Sequence, residues 1–501
     1  MNRIIKSYLL NIVLCLSWIN LLACSAEKGI TPYDKTPVVK TLTVDLNKIN
    51  FQSPTGISEF IVTTNATKWS VTASEASWLT FIPRVGVLGR TTITVKASEN
   101  TTSEARTAVI TISSSDVPPV QVNVFQAGKA GIYPGYNTNP IAADATGMSS
   151  TAVQLAAKIK LGWNIGNTME ATGGETAWGN PKITKALIDA VKAKGFNAIR
   201  IPCSWNQYLE NTVTAKIKAD WLNRVKEVVQ YCVDNDMYVL VNIHWDGGWL
   251  ENNITEAKKE ETNAKQKVFW EQIATNLRGF DEHVLFAGAN EPAVEDAVQM
   301  AVLTSYHQTF IDAVRSTGGK NANRVLVIQG PTTDIEKTNK LMLNLPTDKV
   351  ANKMMVEVHY YSPWNFAGLT KDETWGEMSY YWGTGFHSTT DTERNATWGE
   401  EADLEKNFKL MKTQFIDKGI PVLLGEFGAI RRTTLTGDAL TLHLASRAYY
   451  LKTVVKQAKA NGLLPFYWDE GSIGNNGFGI FKRSDNTVFD TQALNALIEG
   501  L

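Results

Sequence analysis

The chain has 501 residues, 44% hydrophobic and 20% charged, with 49 Lys and Arg against 50 Asp and Glu for a formal net charge of −1. That apolar content excludes disorder over most of the length. The neutral balance disfavours a nucleic-acid binder, and the length suits two or three domains. Fifteen Trp supply aromatic faces that suit stacking on sugar rings as well as packing. At the start of the chain, Arg3 and Lys6 precede an apolar run from Tyr8 to Leu22. This reads as a secretory leader over residues 1–23, too short for a membrane span.

Leu21-Leu22-Ala23-Cys24 resembles a bacterial lipobox. The resemblance implies cleavage before Cys24, a lipid on its sulfur, and a tether over residues 24–37. An ordinary signal peptide is the alternative. Ser25 stands where Asp often signals inner-membrane retention, so the implied address is the outer membrane or cell surface of a Gram-negative bacterium. Cys15 leaves with the leader, so only Cys203 and Cys232 remain. They read as small core residues, with a single disulfide as the alternative, and no Cys/His spacing matches a zinc site.

Residues 38–128 change to short β-rich runs: Thr41–Leu46, Ile57–Thr63, Lys68–Thr72, Trp78–Phe81, Thr91–Lys96, Thr107–Ser113 and Val120–Phe125. Val120, Val122 and Val124 alternate with Gln121 and Asn123, which gives one buried and one wet face. About seven strands in under about 100 residues is the size of an immunoglobulin-like sandwich. Trp69-Ser-Val, Ser77-Trp78-Leu79 and the closing Phe125-Gln-Ala-Gly128 resemble the BACON module, found in Bacteroidetes carbohydrate-active proteins. Trp69 and Trp78 read as core anchors rather than sugar platforms, and the domain as a spacer. Residues 129–147, rich in Gly, Pro and Asn, read as a linker.

From 148 to 501 short apolar runs alternate with amphipathic text. Candidate strands are Gly162–Ile165, Ala198–Pro202, Met237–Ile243, Val284–Ala289, Val325–Gln329, Met354–His359, Pro421–Glu426 and Leu463–Trp468. Leu222, Val225, Val229 and Cys232 share one helix face, and another helix opens at Asn180-Pro181 and closes at Gly195. Eight strand–helix units predict an α/β fold, a (β/α)8 TIM barrel. A doubly wound sheet is disfavoured because Gly162-Trp-Asn-Ile-Gly-Asn-Thr168 lacks phosphate-loop spacing.

Reacting groups in such a barrel sit at the C-terminal ends of its strands. There stand Arg200, His244, Asn290, Glu291, His359, Tyr361, Glu426 and Trp468. Pro292 holds Glu291 extended at its strand tip, and Glu426 closes the apolar run Val422-Leu-Leu-Gly425. Two carboxylates on one rim are what glycoside hydrolysis needs: one protonates the leaving oxygen, and the other attacks the anomeric carbon or activates water. A cation and a phenol favour the ionised form of the attacking group, and Arg200 and Tyr361 supply them. Burial and a second carboxylate are expected to raise the pKa of the acid. Asn290 suits a sugar 2-hydroxyl, and Trp468 suits the floor of the ring.

Gly162-Trp-Asn-Ile-Gly-Asn167, Ile199-Arg-Ile-Pro202, Asn242-Ile-His244, Ala289-Asn-Glu-Pro292, His359-Tyr-Tyr361, Leu424-Gly-Glu-Phe-Gly428 and Trp468 together resemble glycoside hydrolase family 5. The resemblance makes Glu291 the acid/base and Glu426 the nucleophile of a retaining mechanism. It places Arg200, His244, Asn290, His359, Tyr361 and Trp468 in the substrate site. His244-Trp245-Asp246 departs from the His-His of many relatives. The opening and the His-Tyr-Tyr-x-Pro-Trp text are most similar to the endoglucanase subfamily 4, which implies a β-1,4-glucan partner. Trp178, Trp249, Trp364, Trp375, Trp382 and Trp398 fall in rim loops as candidate sugar platforms, Trp249 and Trp364 foremost. The long segment Gly368–Asn407 is expected to shape the leaving-group side. No metal or cofactor is expected, and the chain is expected to be a monomer. An endo-mannanase, a strict xyloglucanase and a non-catalytic surface glycan-binding protein are the competing readings.

Overall fold

The computed structural model describes residues 38–75, 77–102 and 104–501, so the leader, Cys24 and the tether lie outside the described residues. The chain divides into two compact units at Ala130/Gly131.

The first unit is all β, with strands Leu42–Val44, Lys48–Phe51, Gly56–Ala73, Leu79–Ile82, Val85–Ala97, Arg106–Ser114 and Val117–Gln126. The runs expected at 57–63 and 68–72 are one 18-residue strand whose register shifts between Thr64 and Lys68. The irregularity absorbs Asn65-Ala66-Thr67, which reads locally as a break, and lets one strand pair with Val85–Ala97 before its end turns onto Arg106–Ser114. Inward residues Phe60, Val62, Ile93, Val95, Ile110 and Val122 form the core. Trp69 and Trp78 are buried in it, as expected of anchors. Residue 86 must be glycine, since a Cβ there would sit 2.1 Å from Trp69 Cζ2.

The second unit is a closed barrel of eight parallel strands. In order they are Gly162–Ile165, Ala198–Ile201, Tyr238–Asn242, Val284–Ala287, Leu326–Gln329, Met354–Tyr360, Val422–Phe427 and Leu464–Asp469. Alternation sorts their side chains. Ala198, Leu240, Leu285, Val327, Met355, Leu423 and Phe466 fill the interior, while Ile199, Val239, Phe286, Ile328, Val356 and Leu424 pack against the helices. Ala152 and Leu155 of the helix Ala152–Lys158 join the interior cluster and close its N-terminal end.

Helix Ala219–Val233 buries Val225, Val229 and Cys232, and Cys203 and Cys232 are buried free thiols. The helix expected from Asn180 spans Lys185–Ala193 and is capped by Thr184. Asn180 instead donates to the carbonyls of Asn167 and Glu470, tying two rim loops together. The linker expected at 129–147 is docked on the barrel from Gly131 onward. The Tyr136 N–H donates to Glu271 at 2.6 Å, Asn137 Nδ2 donates to the Ser316 carbonyl at 2.9 Å, and Ile141–Ala143 pairs with Gly318–Gly319. Gly, Pro and Asn text has no periodicity, but its backbone groups and tyrosines find partners all the same.

Candidate active site

Arg200, fully buried on the second strand, organises the mouth of the barrel. Its Nη1 donates to Glu426 Oε1 at 2.7 Å and to Asn164 Oδ1 at 3.0 Å, and its Nη2 donates to Asn290 Oδ1 at 2.8 Å. Nε lies 2.8 Å from Glu357 Oε1 as an ion pair rather than an aligned hydrogen bond. Glu426 reaches this cluster because the seventh strand slips register at Gly425 against both neighbours. Leu424 and Phe427 both face the helices, so the bulge turns Glu426 inward, as bulges next to active sites do.

Glu426 Oε2 accepts the Tyr361 hydroxyl at 3.1 Å. Across the mouth, Glu291 Oε1 lies 2.7 Å from His359 Nδ1, and the same nitrogen is 3.7 Å from Glu426 Oε2. A carboxylate oxygen of Glu291 and one of Glu426 lie within 4.8 Å of each other. Their settings differ: the Glu291 side chain is 45% exposed and that of Glu426 7%.

Burial opposes charge on His359, but Glu426, Glu291 and Glu357 outweigh it and push its pKa up to about 10. The imidazolium corrects one expectation. Burial does push the Glu291 carboxyl up, yet the His359 hydrogen bond and the charges of His359 and Arg200 hold it below the usual value. In the free enzyme the shared proton therefore sits on His359. His244 is held neutral, well below its ordinary value, by burial and by the charges of Arg200 and His359. Its ring lies parallel to Trp468, centroids 6.0 Å apart.

The strand-end residues expected at the site thus converge, whereas the rim-loop Trp249 does not join them. Trp249 packs edge-on against Phe269 at 5.2 Å, lies under Lys265, and donates its N–H to Asp246. In the same loop Trp245 is the exposed indole. Trp364 and Trp398 are exposed and line a cavity of about 570 Å³ beside Glu291, His359 and Tyr361. Trp178 and Trp375 are exposed as well. Trp382 is fully buried, its N–H on the Gly399 carbonyl, so it is core and not a platform.

Two carboxylates escaped the sequence reading. Glu251 accepts the Glu291 backbone N–H at 2.6 Å, and burial pushes it up to about 7, with the charge of Glu291 adding to this. Glu357 lies fully buried beneath Arg200 and His359. The only local signal for it is a charge inside the apolar run Met354–Val358.

The sequence profile of Cellulase (glycosyl hydrolase family 5) matches residues 164–474, and the BACON profile, a putative N-terminal binding domain, matches 67–127. A xyloglucan-specific endo-beta-1,4-glucanase of Bacteroides ovatus is 36% identical over 453 residues, covering 87% of this chain and 86% of its own. Endoglucanase A of Paenibacillus barcinonensis is 36% identical over 74% of this chain and 94% of its own. Among solved structures, the Bacteroides ovatus GH5 xyloglucanase in complex with a XXXG heptasaccharide superposes with a TM-score of 0.68 at 32% identity. It covers 92% of this chain and 99% of its own. A GH5-4 broad specificity endoglucanase from Bacteroides salanitronis gives 0.63 at 32% identity, over 72% and 97%. The chain belongs to glycosyl hydrolase family 5 and is a glycoside hydrolase of the endoglucanase type.

Proposed function

We propose that this chain is a retaining endo-β-1,4-glucanase acting on β-glucans, with xyloglucan as the preferred class. The observation that carries the reading is the approach of Glu291 and Glu426 to within 4.8 Å. A spacing of about 5 Å suits direct attack on the sugar, whereas an intervening water needs about 6.5 Å or more. Glu426, buried and held by Arg200 and Tyr361, is the nucleophile. Its oxygen bonds to the anomeric carbon as the glycosidic C–O bond breaks. Glu291, at the exposed edge, gives the leaving oxygen its proton. In the second step Glu291 takes a proton from water, whose oxygen bonds to the anomeric carbon and releases Glu426.

The low pKa of Glu291 in the free enzyme fits this cycle. A bound sugar that shields Glu291 from water raises the energy of its charged form, and the neighbouring imidazolium at 2.7 Å is the proton's source. Asn290, oriented by Arg200, is aimed at the 2-hydroxyl, and Trp468 floors the ring. The cavity beside Glu291 lies where a leaving-side chain would run. The xyloglucan-specific relatives support the substrate class. Retention of both glutamates disfavours a purely glycan-binding role.

Glu426→Ala tests the reading on xyloglucan, barley β-glucan, carboxymethyl cellulose and mannan. The intact protein is expected to release oligosaccharides, fastest from xyloglucan. The variant is expected to lose about 10⁴-fold or more in kcat while keeping its melting temperature. Full activity in the variant, or a preference for mannan, contradicts it.

A further inference from the structure

Glu357 touches a partner of each of the two reacting carboxylates, and the proposed function does not use it. Its Oε1 lies 2.8 Å from Arg200 Nε and 3.3 Å from His359 Nε2. Its Oε2 accepts Gln329 Nε2 at 2.6 Å. Arg200 holds Glu426 and His359 holds Glu291. The space is cut for it: a Cβ on residue 425 would sit 2.1 Å from Glu357 Oε1. The glycine that precedes Glu426 therefore serves Glu357 as well as the bulge. A fully buried carboxylate is costly unless paired, and an ordinary barrel would fill this interior position with an apolar side chain.

We propose that Glu357 is a positioning residue for the hydrolytic reaction, fixing the His359 ring against Glu291 and the Arg200 guanidinium against Glu426 from beneath. The inference rests on the roles given above to Glu291 and Glu426. By engaging Nε2–H, Glu357 keeps both imidazole nitrogens protonated and aims Nδ1–H at Glu291. The other groups around the ring are Glu291 and Glu426 on the mouth side, the Tyr361 phenol and Arg200, with neutral His244 beyond. Glu291 and Glu426 also favour the charged ring, but neither reaches Nε2. Glu357 alone pairs with that nitrogen among the described residues.

The test is Glu357→Gln, read by NMR titration of histidine-labelled protein and by kcat and KM against pH on barley β-glucan. Because Glu357 raises the His359 pKa, its removal is expected to move the His359 titration to lower pH. The alkaline limb of kcat should follow in the same direction. At neutral pH kcat is expected to fall about tenfold or more with KM within about twofold, the pattern of an interaction made in the transition state. Gly425→Ala displaces the carboxylate without removing it and is expected to reproduce the loss. The double variant should then be no worse than the poorer single one. An unchanged His359 titration and pH profile with only a lower melting temperature would overturn the proposal, as would additive losses. If Glu357→Gln does not fold, Glu357→Asp, which keeps the charge but draws it back from His359 Nε2, decides by the same titration and profile, since Gly425→Ala also touches the bulge that orients Glu426. Failure of the underlying roles would appear separately, as activity in Glu426→Ala.

Discussion

Glu251 fixes the backbone of Glu291, accepting its N–H at 2.6 Å from the neighbouring loop, while His359 holds its carboxylate. With the Glu251 pKa at about 7, against about 4.3 in an unfolded chain, the folded protein binds the extra proton. Its contribution to stability is therefore complete below about pH 4 and lost as pH rises through 7. In Glu251→Gln the fall in melting temperature between pH 5 and 8 should flatten, by the equivalent of about 2–3 kcal/mol. Thermal unfolding across that range measures it, and an unchanged slope would assign the titration elsewhere. Glu291 and Glu426 were legible because each ends an apolar strand beside a Pro or Gly signal. Glu251 was not, since it lies in irregular loop text and its role comes from a backbone contact 40 residues away. Glu357 carried a signal without an address: a charge in a buried strand announces a partner but not which one.

At the scale of elements, loops proved harder to read than strands. The eight barrel-strand expectations agree with the structure to within two residues because strands buried on both faces read as unbroken apolar runs. In the sandwich, Val85–Ala97 and Val117–Gln126 extend beyond the runs expected, and Lys48–Phe51 was missed. Rim tryptophans carry no such signal. Trp382 and Trp398 belong to the same long segment after the sixth strand, yet one is core and the other is exposed over the cavity beside Glu291. The difference predicts opposite phenotypes. Trp398→Ala should raise KM on xyloglucan about two- to tenfold with kcat nearly constant, the loss of one stacking face. Trp382→Ala removes a buried indole and should cost about 3–5 kcal/mol of stability. Steady-state kinetics and thermal melts on the pair separate the roles, and equal effects of the two on KM would contradict the division.

For the whole molecule, eight alternating units pointed to the barrel by their count and length. The missing phosphate-loop spacing after the first strand set aside a doubly wound sheet, which would bury its strands on both faces equally well. The 131–147 segment misled because aperiodic text does not distinguish a free linker from one docked through tyrosines and backbone groups. Closure is what brings together Arg200, Glu291, His359 and Glu426 from four strands, and the account rests on Glu426 attacking carbon across the gap to Glu291. The direct test is trapping with a 2-deoxy-2-fluoro-cellobiosyl fluoride followed by peptide mass mapping. The account predicts one added disaccharide on the peptide holding Glu426, with the label on that side chain. A label on another residue, or an inactivated enzyme with no covalent sugar, would contradict it.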